Sequence, residues 1–473
     1  MASVGQVTTG LPAVVVGGGL AGLSCAVALA DAGLRVVVLE REAWLGGRAR
    51  SWTHAQTGDA VDIGPHVVHS EYRNFLAFLE RLGTRDAITW QPGKLITLFG
   101  DAHPVRLRHK PLPPPLSLLP DLARAPSLTL RDLWSNNAPT WRALKFGEED
   151  VPELDRVCAA DYLRAHGVTE RMIDWFWRFA AIAVMNVPLE QCSAAALLRV
   201  HAQLIGRRGL HFGFPAAGLS ELYVPQCRRL LGDDILLGAE AVRVEGTAVE
   251  LRDGRRIEAQ MCVCALPPGE LGELLPGAAD CAAFEPSPYI STYLWFDRRV
   301  ARERFWGRLG PQLNVDFYDL AAIRRGWEGR PSLIAANIPY SHRAAGHDDA
   351  QIVEATRREL AACWPESGQA RLLHADVHRI PMAIACPAPG TEVRRPAPRT
   401  GLAGVYLAGD WTATGLPSSM ESAVSSGLRA AQAALADLGR PCRLAQPPAP
   451  TDGLAGLVRA ATRMARGVGL LLA

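Results

Sequence analysis

Lysine is nearly missing from this chain. Lys94, Lys110 and Lys145 are the only lysines among 50 basic residues, so nothing beyond residue 145 carries an ammonium group. The bias itself fits a GC-rich genome. Net charge is also nearly absent, at +2, and no overall field points towards nucleic acid. Ten cysteines occur without disulfide-framework spacing. Their one close pair, Cys262 and Cys264, lies in the strand-like "AQMCVCALPP". Alternation puts both on one face, which reads as a buried thiol pair and not a metal site. The opening "MASVGQVTTGLP" has no basic segment followed by an apolar one, so no signal peptide is expected. The longest apolar runs fall short of the ~20 residues that span a bilayer. A reducing, cytoplasmic setting is the expectation.

The 473 residues suggest two or three domains, or one large domain with an insertion. With 48% hydrophobic and 21% charged residues, the chain has enough apolar material for a substantial core. The most informative stretch is "PAVVVGGGLAGLSCAVALADAGLRVVVLE", residues 12–40. Ala13 to Val16 reads as a buried parallel strand. It runs into Gly17-Gly18-Gly19-Leu20-Ala21-Gly22, a G-x-G-x-x-G that opens a helix. Gly17 allows the tight turn, Gly19 lets a pyrophosphate approach the backbone, and Gly22 lets helix and strand pack closely. The helix start at Leu20 and Ala21 offers free N–H groups and a positive dipole end. A second strand, Val36 to Leu39, ends on Glu40, placed to accept hydrogen bonds from ribose hydroxyls, with Arg41 beside it. An acid here favours an unphosphorylated ribose, hence FAD or NAD.

The chain continues "REAWLGGRARSW" (41–52) and "GDAVDIGPHVVH" (58–69). Gly46-Gly47-Arg48 gives a second close backbone approach, with a guanidinium suited to a pyrophosphate. Gly64-Pro65-His66 makes another tight turn after a short strand. Far downstream, "LAGDWTATGLPSSMESAVSSG" (407–427) runs from a strand into a helix through small residues. It has no second glycine fingerprint, no metal-ligand spacing and no nucleophile elbow.

As a set, these motifs resemble the flavin-dependent amine oxidase and phytoene desaturase superfamily, over nearly the whole chain to about residue 437. The resemblance implies an α/β architecture: a Rossmann-like FAD-binding domain with an interleaved α+β substrate domain. It places residues 1–75, 206–285 and 390–440 in the first, and 76–205 and 286–389 in the second. A linker and an amphipathic helix follow over 441–473. Further FAD contacts implied by resemblance are the Val242 backbone at the adenine and Ala265 in "VCALPP". Gly409 and Asp410 would serve the ribityl or phosphate portion. Ser419, Met420 and Glu421 would stand at the flavin ring, where backbone N–H groups stabilise negative charge when the ring is reduced. Ser422 stands where the family usually has glycine, with little effect expected.

Amine oxidases usually carry an aromatic residue just before the Met-Glu of the last motif, and a lysine near the flavin. Here the first position is Ser419, and the lysine is missing. Segments such as "ISTYLWFDRRV" (290–300) and "QLNVDFYDL" (312–320) are similar instead to plant-type carotene desaturases and bacterial hydroxysqualene dehydroxylases. The implied substrate is a long isoprenoid hydrocarbon, with hydroxysqualene reduction ahead of carotene desaturation and amine oxidation as the alternative. A redox partner or quinone would complete the electron balance.

Trp175, Phe176, Trp177, Phe179, Ile182 and Val184 read either as tunnel lining or as plain helix core. His66 is the candidate for proton transfer, or else only positions the ring. Asp316 and Tyr318 are weaker candidates, by resemblance alone. "KPLPPPLSLLPDLARAPSLTL" (110–130) is either a surface loop or a piece dipping into lipid. In the tail, Leu454, Leu457, Val458, Ala461, Met464, Ala465 and Val468 share one helical face, opposite Arg459, Arg463 and Arg466. This reads either as a basic amphipathic helix on an anionic membrane surface, which would make the protein peripheral on the inner membrane, or as a helix packed on the protein's own apolar surface.

Overall fold

The computed structural model describes residues 10–100, 103–207, 209–448 and 450–472. The first nine of the twelve residues read for a signal peptide lie outside them, as does the side chain of Val468. Five short strands form a parallel sheet in the spatial order Ile235–Leu237, Val36–Glu40, Ala13–Val16, Met261–Cys264, Val405–Leu407. They are unbroken apolar runs because both faces are covered. On one face the helix Leu20–Asp31 packs on the helix Met420–Asp437. Gly427 makes that approach possible, since a Cβ there would lie 2.2 Å from the Ala21 carbonyl oxygen. On the other face Val14, Val37, Leu39 and Trp411 belong to a second core that includes Val249 and Leu251. The Cys262 and Cys264 sulfurs lie 4.0 Å apart as free, buried thiols, as their alternation predicts.

A second, seven-stranded sheet runs in the order 372–385, 286–296, 333–339, 316–319, 305–308, 96–99, 105–107. It is antiparallel except where 305–308 pairs with 96–99. Helices between residues 119 and 205 pack beside it. One of them widens into a π-turn over Ile173–Trp177, a local irregularity common at functional sites.

Buried polar contacts tie a small hairpin, Ser51–Thr53/Ala60–Asp62, to the seven-stranded sheet and the helix turn beside it. The segment after the Ser51–Thr53/Ala60–Asp62 hairpin is held by Asp62, whose Oδ2 lies 2.9 Å from Arg324, with both side chains almost fully buried. The Tyr293 hydroxyl donates to the Asp62 carbonyl at 2.8 Å, and Trp295 Nε1 donates to Asp59 at 2.8 Å.

The C-terminal helix, Gly453–Leu472, corrects one expectation. Its arginines do not all face away from the protein. Arg459 donates to the carbonyls of Ala143 and Leu144, and Arg466 pairs with Glu149 and Asp150. The cause is electrostatic: the end of the helix Asn137–Lys145 presents free carbonyls, followed by an acidic turn. Of the three arginines only Arg463 is exposed, while Leu457 (70%) and Met464 (67%) also face outward. Among the described residues, no helix is long and apolar enough to cross a membrane.

Candidate functional site

A cavity of about 820 Å³ opens at the carboxyl ends of the parallel strands and continues towards the seven-stranded sheet. The glycine fingerprint builds its first wall. Gly17 has φ +107°, and a Cβ there would sit 2.6 Å from the Ala265 carbonyl oxygen. A Cβ on Gly22 would sit 1.9 Å from the Gly17 carbonyl oxygen, so that position is bound to glycine by backbone packing. Gly19 differs: a Cβ there would meet no protein atom within 4 Å. It lines the cavity, and the space left free is where a pyrophosphate approaches the helix N-terminus.

Glu40 is nearly buried at the end of its strand. Its Oε2 accepts from the Gly18 N–H at 2.8 Å and its Oε1 from the Glu42 N–H at 2.9 Å. Burial pushes its pKa up, and these bonds pull it back. Each oxygen keeps a lone pair for a ribose hydroxyl. The Gly46 N–H donates to the Gly18 carbonyl at 2.9 Å and locks the second glycine turn onto the first. Arg41 lies on the rim, paired with Glu270 at 2.9 Å. Val242 lies where the edge strand Ala241–Glu245 slips register against its one neighbour, so it has no partner across the strand pair. Such a bulge frees backbone donor and acceptor groups, which is what backbone recognition of an adenine requires.

Arg48 and Asp410, read separately as cofactor contacts, pair with each other at 2.7 Å, and Arg48 also donates to the Ala383 carbonyl. Asp410 is buried and needs a cation; a guanidinium has donors left for an anion. Gly409, with φ +145°, places the turn after the last strand. Ser422, in the position of the family's glycine, donates from its hydroxyl to the Asp410 carbonyl at 2.9 Å and ties strand end to helix. Ser419 caps that helix by accepting from the Ser422 N–H.

At the Gly64-Pro65-His66 turn, His66 Nδ1 lies 2.7 Å from the Gly64 carbonyl and so carries the ring hydrogen. Burial lowers its pKa. It is a neutral imidazole that steadies the turn, with only Nε2 left as an acceptor.

Of the residues singled out as cofactor contacts, all but Gly22 and Glu421 line this one cavity. Gly22 acts through packing. Glu421 caps the helix Arg73–Leu82, accepting from the N–H groups of Asn74 and Phe75 and from the Asn74 amide. Trp175, Phe176, Phe179 and Val184 line the cavity. Trp177 is core instead, its indole donating to Asn136 at 2.9 Å, and Ile182 is not on the cavity wall. Leu95, Leu98 and Leu204 continue the apolar arm. None of Lys94, Lys110 and Lys145 lines it. Tyr289 also lines the cavity and was not singled out from the sequence. The alternation of "PSPYISTYLWF" puts it on one face with Ser291, Tyr293 and Trp295, which was the available signal.

The site therefore fits a dinucleotide at one end and an apolar molecule at the other. Comparison with known proteins agrees. The family profile for flavin containing amine oxidoreductases matches residues 20–435. A 15-cis-phytoene desaturase from Synechococcus elongatus is 28% identical, over 89% of this chain and 95% of its own length. A carotenoid phi-ring synthase from Streptomyces griseus is 31% identical, over 90% of this chain and 88% of its own. Among solved structures, putrescine oxidase superposes with a TM-score of 0.72 at 17% identity, covering 90% of this chain and 99% of that one; this likeness is one of fold.

Proposed function

We propose a role in isoprenoid hydrocarbon oxidation for this chain, which belongs to the flavin containing amine oxidoreductase family and is an FAD-dependent oxidoreductase. The reading is desaturation of a phytoene-like carotene, as in the named function of the Synechococcus relative. The observation that carries it is the apolar arm of the cavity, walled by Trp175, Phe176, Phe179 and leucines, with no lysine in its lining and Ser419 at the cage position. A long hydrocarbon is held by aliphatic and aromatic surface, which this arm offers.

Gly17, Gly19 and the start of the helix Leu20–Asp31 hold the pyrophosphate. Glu40 takes the ribose, the Val242 backbone the adenine, and Gly64, Ser419 and Met420 support the ring. Bound there, FAD supplies hydride transfer in either direction. The apolar arm orients the hydrocarbon and excludes water from the reacting end. Reductive dehydroxylation of hydroxysqualene is the second reading, favoured by a buried carboxyl, Asp316, on the cavity wall. Electrons leave or arrive through a quinone or a redox partner.

Exposed apolar side chains support docking on a bilayer. Leu130 (82%) and Trp134 (77%) lie on one short helix, and Trp141 on the next, against which the C-terminal helix packs with Leu457 and Met464 outward. Tryptophans on such a face favour the membrane interface. Replacing Trp134 and Leu457 by Asp should abolish flotation with anionic vesicles while FAD stays bound; unchanged flotation would remove the membrane from the reading.

The deciding test is anaerobic flavin spectroscopy in liposomes. Phytoene bleaching the oxidised flavin supports desaturation. Reoxidation of the reduced flavin by hydroxysqualene supports the second reading. Silence with both, with bleaching by putrescine, overturns both in favour of amine oxidation.

A further inference from the structure

Buried carboxylates in this protein are mostly compensated by arginine or lysine. Asp62 has Arg324, Asp59 has Arg330, Asp319 has Arg299, Asp410 has Arg48 and Glu303 has Lys94. Others, such as Glu421 and Glu40, accept from two or more N–H groups. Asp316 has neither. It is 5% exposed and lines the cavity, and among the described residues no cation pairs with it.

Its support comes from neutral groups arranged across three strands. Ser291, Asn337 and Asp316 stand side by side in register on the strands 286–296, 333–339 and 316–319. The Ser291 hydroxyl donates to Asn337 Oδ1 at 2.8 Å, and Asn337 Nδ2 donates to Asp316 Oδ1 at 2.6 Å. The Ser291 hydroxyl also lies 2.8 Å from where a Cβ on Gly64 would stand. Two hydrogen bonds therefore connect the carboxyl to Ser291, which packs against the turn that carries His66. Facing Asp316 are the phenols of Tyr318, on its own strand, and Tyr289, from the strand 286–296. Both are held neutral by burial and by the Asp316 charge. The strand 305–308 places only Gly307 opposite it. Arg48 and Asp62 act on His66 and not on Asp316. Burial pushes the Asp316 carboxyl up to about 7, against the hydrogen bonds from Asn337 and Tyr318. A carboxyl in that range gains or loses its proton at little cost.

We propose that Asp316 is the proton-transfer residue of the hydrocarbon reaction, an inference that rests on the function proposed above. In desaturation, one C–H bond gives its hydride to oxidised flavin. The carboxylate takes the proton from the adjacent carbon, and the electron pair of that second C–H bond becomes the new C=C bond. In dehydroxylation, the carboxylic acid protonates the leaving hydroxyl and the C–O bond breaks to release water. Hydride from reduced flavin then fills the carbon. His66 cannot supply the proton in dehydroxylation, because its one ring hydrogen is committed to Gly64.

The test uses the full-length, flavin-loaded protein and its Asp316→Asn and Asp316→Glu variants. Infrared titration should show a protonated-carboxyl carbonyl band that disappears through about pH 7 and is missing from Asp316→Asn. Single-turnover flavin reduction by phytoene should rise with pH through the same midpoint, whereas flavin oxidation by hydroxysqualene should fall with pH. Asp316→Asn should slow the active direction at least about a hundredfold and flatten its pH dependence. FAD content and substrate quenching of tryptophan fluorescence should be kept. Asp316→Glu should keep a pH dependence with a moved midpoint, and it covers the case in which the asparagine variant fails to fold. A wild-type flavin that responds to a hydrocarbon, with an Asp316→Asn rate within threefold or an unchanged band, overturns this proposal alone. A wild-type flavin that responds to neither hydrocarbon overturns the functional reading and this proposal with it.

Discussion

The two ends of the cavity are built by opposite means. At the dinucleotide end, recognition depends on backbone atoms and on missing side chains: Gly17, Gly19, Gly22 and the unpaired Val242. At the substrate end it depends on side chains pressed together by a sheet: Tyr289, Asp316 and Tyr318, with Phe179 from the helices opposite. A phosphate must meet N–H groups at close range, which any Cβ obstructs. A hydrocarbon offers no hydrogen bonds, so its site must be shaped by bulk. The first kind of wall tolerates almost no substitution at a few positions. The second tolerates many, provided volume and buried charge are kept.

The harshest test of this contrast is Gly22→Val. Its side chain would begin 1.9 Å from the Gly17 carbonyl oxygen, so no folded, flavin-containing protein should be recovered by affinity purification and absorbance. Next comes the ion pair that ties the hairpin 51–62 to the helix turn beside the seven-stranded sheet. Arg324→Ala leaves the Asp62 carboxylate buried without its cation, which should cost about 3–5 kcal/mol in chemical denaturation. If the loss is below about 1 kcal/mol, the hairpin is held by packing and not by this ion pair. A smaller effect is expected from Glu40→Ala. FAD affinity should fall roughly tenfold to a hundredfold, measured by flavin release on dilution, as a charge-assisted contact to ribose is lost. The smallest is Val242→Ala, which should change FAD retention less than twofold, because the contact is made by the backbone at a strand bulge. A large effect there would mean that the dinucleotide end, too, reads side chains.

The same contrast explains what the sequence could tell. Backbone recognition leaves spelled motifs, because only glycine fits. The α/β fold, the fingerprint helix, Glu40 and the turn at Gly64 were therefore legible at once. Side-chain walls leave only apolar patterns, which core and tunnel share. Trp175 and Trp177 are two residues apart, about 200° round a helix, so that one faces the cavity and the other the core. The π-turn between them shifts the helical phase that a sequence argument relies on. Glu421 read as a flavin neighbour because its motif borders the ring, and its carboxylate instead holds the end of another helix. The C-terminal arginines were assigned to a membrane surface because nothing in the local pattern marks the carbonyls and acids, more than 300 residues earlier, that attract Arg459 and Arg466.

The order of strands in the parallel sheet bears on how the protein comes into being. Its first strand begins at Ala13, and its last, Val405–Leu407, leads into the Asp410 that neutralises Arg48. A nascent chain thus carries its nucleotide fingerprint through most of its synthesis without the wall that completes the cradle. Contacts so distant in sequence form slowly and late. Flavin loading is therefore expected at the close of translation, and a chain cut short before residue 410 should retain no coenzyme.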